Sequence, residues 1–165
     1  MEKLKKKIWS SVLFLAIIIG GVYFFLKFNS PLEIGILASS EDNKSVVVGI
    51  GNKGFREVKI LDVSVNNNEE PVKTKLQVSS ALEGFIITDD YNNEEAKKYG
   101  LMNIDDVAIK AGTSLSYNFE KLNDVTASKN DEIYGISVIH YEEINKVHIS
   151  YRFLGISFND TVTFN

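Results

Sequence analysis

The densest group of oxygen-bearing side chains in this 165-residue sequence is Asp89, Asp90, Asn92, Asn93, Glu94 and Glu95, with Asp105 and Asp106 further on. Hard cations such as Ca²⁺ gather six to eight oxygens, so Asp89, Asp90, Asn93 and Glu95 are weak candidate ligands of the kind a Ca²⁺-dependent adhesion module would use. The EF-hand pattern fails here. Its sixth position, counted from Asp89, must be Gly and is Glu94, and its twelfth must be Glu and is Gly100. The plainer expectation is a helix N-terminus whose acids favour the helix dipole. No metal ligand and no cofactor is therefore assigned.

His140 and His148 flank the turn Glu142–Asn145. Pairing Tyr141 with Lys146 sets His140 opposite Val147, facing inward, and His148 outward. A loop one residue longer would pair the two histidines and bring Glu142 or Glu143 into a metal site. The shared inward phase of Val147, Ile149 and Tyr151 with Tyr134, Ile136 and Val138 favours the first register.

Catalytic motifs are absent from the sequence. It contains no Gly-x-Ser-x-Gly elbow, Walker A loop, dinucleotide fingerprint or His-Glu-x-x-His. Without cysteine, thiol catalysis is impossible. Acids are numerous enough to form carboxylate pairs by chance, so an envelope hydrolase with an unidentified carboxylate site stands as the alternative. The expectation is no enzyme.

The elements that would position these residues start with a membrane segment. Ile8–Leu26, "IWSSVLFLAIIIGGVYFFL", contains no charged side chain and no Asn, Gln or His. As a helix it reaches about 28 Å, close to the hydrocarbon thickness of a bilayer. Trp9 and Tyr23 suit the two interfaces, and Lys27 can snorkel. A cleaved signal peptide needs a shorter apolar run and small residues soon after it. Lys27-Phe28-Asn29-Ser30-Pro31 does not supply them, and the small-x-small stretch Ala38-Ser39-Ser40 lies too far on. The expectation is an uncleaved anchor that meets the lipid bilayer through Ile8–Leu26. Lys3, Lys5, Lys6 and Lys7 precede the span against Lys27 after it, which places the N-terminus in the cytoplasm and the C-terminal domain outside the cell. The layout is a basic tail at 1–7, a transmembrane helix at 8–27, a linker at 28–31 and an extracytoplasmic domain at 32–165.

Residues 1–28 carry a net charge of +4 and residues 29–165 a net −8. An acidic outer domain does not attract nucleic acid. Its partner is expected to be a protein or a component of the cell envelope. Sixteen lysines against two arginines, with abundant Ile and Asn, fit an AT-rich genome and point to a Gram-positive bacterium.

The outer domain reads as all-β, an immunoglobulin-like antiparallel β-sandwich with one short inserted helix. Strict alternation marks strands at Val72–Val78, Thr113–Phe119 and Lys146–Phe153. Further strands are expected at Leu32–Leu37, Ser45–Ile50, Glu57–Val65, Phe85–Thr88, Val107–Lys110, Ile133–Tyr141 and Thr161–Phe164. In Glu57–Val65 the apolar phase slips between Ile60 and Leu61, as a β-bulge would make it. "VVVGIGNKGFREVKILDVSVNN" resembles the strand–Asn-x-Gly–strand hairpin of many bacterial immunoglobulin-like modules. The inserted helix is expected within Asp89–Gly100, capped by Asn92 with Glu95 in the capping-box position.

Overall fold

A computed structural model describes residues 2–164, which divide into two units at Ser30/Pro31. The first is one helix, α1 (Glu2–Phe28), which runs back through the basic tail. Its segment Lys5–Phe28 is long and apolar enough to cross a membrane. The side chains of Trp9, Phe14, Ile17 and Phe25 are all exposed along it. The Ser11 hydroxyl donates to the Lys7 carbonyl at 3.0 Å, so even this polar group is satisfied within the helix. Asn29 closes the C-terminus, its side chain and backbone N–H both donating to the Phe25 carbonyl.

The second unit is mostly β, in two antiparallel sheets. The strands are β1 (Leu32–Ser39), β2 (Ser45–Asn52), β3 (Val58–Val65), β4 (Lys73–Ser80), β5 (Gly100–Met102), β6 (Ala108–Ile109), β7 (Glu132–Ile139), β8 (Lys146–Phe153) and β9 (Ile156–Thr163). One sheet has the order β1-β2-β7-β4-β5 and the other β6-β3-β8-β9. A helix, α2 (Leu115–Asn123), lies between β6 and β7 in the chain.

The core sits between facing sides of the two sheets. Val46, Val48 and Ile50 of β2 share a face with Tyr134, Ile136 and Val138 of β7 and with Leu76 of β4. All seven are essentially inaccessible. In the other sheet Val147, Ile149, Tyr151 and Phe153 alternate inward along β8, in the phase the sequence dictates. The phase slip in β3 is a register shift at Leu61, between Ile60 and Asp62, and restores Val63 and Val65 to the core.

Several expectations fail, each for a physical reason. The run from β2 to β3 is not a hairpin: the two strands belong to different sheets. Asn52 makes the crossover. Fully buried, it donates through Nδ2 to the carbonyls of Arg56 and Ile109 and accepts from Gly54 N–H. Likewise β7 and β8 do not pair, so the expected Tyr141–Lys146 register does not exist. Thr113–Phe119 is not a strand, because Leu115, Asn118, Phe119 and Leu122 also stand at helical spacing and the Ser114 hydroxyl caps the Tyr117 N–H at 3.3 Å. Phe85–Thr88 is irregular, while β5 was not foreseen. Asp89–Gly100 contains only a 3-10 turn at Ala96–Lys98. Here local side chains compete with the helix: Asp90 holds the Asn92 N–H at 2.9 Å, and Asn93, not Asn92, takes the Ala96 N–H at 2.6 Å.

Candidate functional site

Three glycines line up across the outer face of the five-stranded sheet. Gly35 of β1 pairs with Gly49 of β2, and Gly49 pairs with Gly135 of β7. Glycine inside a strand leaves room for a close approach from above, and that room is used. A Cβ on Gly49 would stand 2.6 Å from Leu37 Cδ1, and one on Gly135 would stand 2.9 Å from Phe85 Cε1. Leu37 reaches this position because β1 carries an extra residue there, with Ile36 opposite Val48 and Ala38 opposite Val47. Beside this row, Gly51 admits the start of α2, its missing Cβ leaving 2.4 Å to the Leu115 backbone nitrogen.

Two segments cover the glycine floor. The first, following β4, is pinned by Gln77, which is fully buried. Its amide donates to the Ile86 carbonyl at 2.7 Å and to the Ser137 hydroxyl at 2.5 Å, and accepts from the Ile86 N–H at 3.0 Å. The Tyr91 hydroxyl is buried toward Ser137 without a well-formed bond, and burial pushes its pKa up.

The second is α2, fixed at both ends. The Glu33 carboxylate accepts from the Ser114 and Ser116 hydroxyls and from the Ser116 N–H. Burial opposes its ionisation, but these hydrogen bonds and the nearby Lys53 outweigh burial and hold its carboxyl below the usual range. At the other end Lys121 pairs with Asp131. The bond raises the lysine and, with the Ser128 N–H, lowers the acid.

Between the two covers lies an apolar cleft of about 210 Å³, lined chiefly by Leu37, Phe85, Leu115, Phe119, Leu122 and Ile133. One polar side chain joins them. Asn118 is 6% exposed, and its Nδ2 has no hydrogen-bond partner. A buried amide left unpaired is destabilising unless something completes it. The cleft offers a ligand one apolar recess and one polar contact, which suits binding.

The residues singled out from the sequence lie elsewhere. Asp90 and Asn93 hold the local loop, with Asn93 also donating to the Thr88 hydroxyl at 3.0 Å. Asp89 borders a shallow depression with Asp42 and His140, and Glu95 precedes the 3-10 turn. Asp106 accepts from Asn103 at 2.8 Å. His140 faces Glu69 at 3.2 Å, whereas His148 bridges Thr161 and the Asn66 carbonyl. Among the described residues no three His, Cys, Asp or Glu side chains are grouped to hold a metal ion. Of the cleft, only the Leu115-Asn118-Phe119-Leu122 spacing is visible in the sequence; the glycine row arises from the pairing of β1, β2 and β7.

No protein-family model matches the chain, and no curated protein or solved structure matches it.

Proposed function

We propose that this is a single-pass membrane protein with a non-catalytic binding or accessory role, whose outer domain receives a protein or cell-envelope partner in the cleft beneath α2. In this reading α1 is a retained signal anchor, the N-terminus is cytoplasmic and the domain faces outward from a Gram-positive cell membrane. The apolar exposure of α1 and the lysine excess before it support that orientation. The acidic domain supports a partner other than nucleic acid.

The strand order favours an immunoglobulin-like sandwich. β1-β2-β7-β4 runs as A-B-E-D and β3-β8-β9 as C-F-G, with β5 and β6 added at the edges. The segment between β4 and β7 would then be an insertion that builds the cleft.

One observation carries the binding role: the unpaired Asn118 Nδ2 in an otherwise apolar recess. An engineered cavity of about 150 Å³ holds benzene, so this one fits an aromatic or branched aliphatic group. The test is photo-crosslinking in cells from a reactive side chain at Phe119, on the cleft wall. A discrete adduct that disappears in Asn118→Leu supports the reading, and no adduct, or one indifferent to that substitution, sinks it.

A further inference from the structure

α1 ends at Phe28 and the compact domain begins at Pro31. Three residue steps reach at most about 11 Å, so a bilayer that holds α1 lies close to Pro31 whatever angle the domain adopts. Pro31 is tied to the crossover after β2. Lys53 N–H donates to its carbonyl at 2.9 Å, and a Cβ on Gly54 would stand 3.0 Å from the Pro31 Cβ.

This end of the domain carries two large apolar side chains in the open. Phe55 is 69% exposed, its ring edge-on to Phe153 at 5.6 Å. Leu154, 48% exposed, follows Phe153, and Phe55 and Leu154 border one shallow depression with Arg56, Glu57 and Ala111. Leu154 also sits in a strained conformation. It has φ 50° and precedes Gly155 at φ 80°, in a two-residue turn between Phe153 and Ile156. Such turns favour Asn at the first position, and a bulky apolar residue there is an outlier. Water gives an exposed leucine no return for that strain, whereas a lipid interface does.

We propose that Phe55 and Leu154 form a second lipid contact, dipping into the bilayer interface beside the anchor; this rests on α1 being that anchor. Lys53 and Arg56 flank Phe55 in the chain and can reach headgroup phosphates, with Glu57 beside Arg56 and Glu33 near Lys53 as the acids among them. The contact is mainly apolar insertion, since the domain as a whole is acidic.

Trp fluorescence of the full chain in vesicles containing acyl-brominated lipid tests this. The native chain has a single Trp, Trp9 in α1, so its quenching reports the anchor alone. In a Trp9→Phe background, Phe55→Trp and separately Leu154→Trp should lose emission about twofold or more, as for side chains 5–10 Å into the interface. Tyr141→Trp, past the far end of β7, should be unquenched. If Trp9 is quenched but neither tip residue is, the lipid contact is wrong and the anchor stands. If Trp9 is not quenched, the anchor fails and the inference with it. Equal quenching at Tyr141 and Phe55 would also overturn it, because the contact would not be specific to this end.

Discussion

The Ser114 hydroxyl, at the N-cap of α2, donates to Glu33 Oε2 on the edge strand β1 at 2.6 Å. A carboxylate eighty-one positions earlier in the chain thereby completes the start of a nine-residue helix. Isolated helices of that length are marginal in water, so α2 depends on such tertiary anchors.

Removing the charge with Glu33→Gln should destabilise the domain by about 1 kcal/mol near neutral pH. The folded-state pKa of Glu33 is lowered from 4.5, so its contribution is complete above that value and is lost as pH falls through the folded pKa. Denaturant melts of both proteins from pH 7 downward should converge below pH 4.5. A constant gap across that range would show that the charge is not what matters.

Individual strands could be read from the sequence because they depend on period alone. Val147, Ile149, Tyr151 and Phe153 face the core as their alternation requires, and the slip at Leu61 is a true register shift. Pairing was not legible. Nothing local tells that Asn52 carries the chain across to the other sheet, or that Gly35, Gly49 and Gly135 align, since both depend on register between strands distant in the chain. Thr113–Phe119 fits a two-residue and a helical period together, and tertiary contact at Gly51 and Glu33 decides between them.

Two exposed apolar residues sit where glycine or asparagine would be easier. Val125, 89% exposed, has φ 56° just past the C-terminus of α2, and Leu154 has φ 50°. A left-handed conformation costs a residue with a Cβ about 1 kcal/mol or more. Val125→Gly and Leu154→Asn should therefore each raise stability by about 1 kcal/mol, several degrees in Tm. Calorimetry that found either variant less stable would mean its side chain makes contacts that outweigh the strain.

Gln77 binds one cover to the sheet through both ends of its amide. Gln77→Leu keeps the volume but strands the Ile86 N–H and carbonyl and the Ser137 hydroxyl, for a loss of about 3 kcal/mol. Hydrogen exchange should show the Ile86 amide losing protection before the β2 and β7 amides do. Equal loss throughout would place the damage in the core rather than in the cover.

Asn118→Leu should behave in the opposite way. It removes a buried donor that no described residue satisfies, so stability should rise by about 1 kcal/mol as crosslinking from Phe119 disappears. A fall in Tm would show that the amide is already paired, and the cleft would lose its one polar contact for a ligand.

The glycine row makes the sharpest quantitative case. The three atoms nearest an alanine methyl at Gly49 all belong to the Leu37 side chain, at 2.6, 2.8 and 3.2 Å, whereas at Gly51 it meets backbone first, at 2.4 Å from Leu115 N and 2.7 Å from Thr113 O. Side chains can withdraw and backbone cannot. Gly49→Ala should cost about 1–3 kcal/mol through overpacking, and most of that cost should vanish in a Leu37→Ala background, which removes the clashing atoms. Gly51→Ala should cost more, with no rescue from Leu37→Ala, since α2 itself must lift from the sheet. Urea melts of the three single and two double variants, beside the native protein, measure both couplings. A Gly49 cost that persists without Leu37 would mean that this strand needs glycine for its backbone, and that the close approach of Leu37 merely accompanies it.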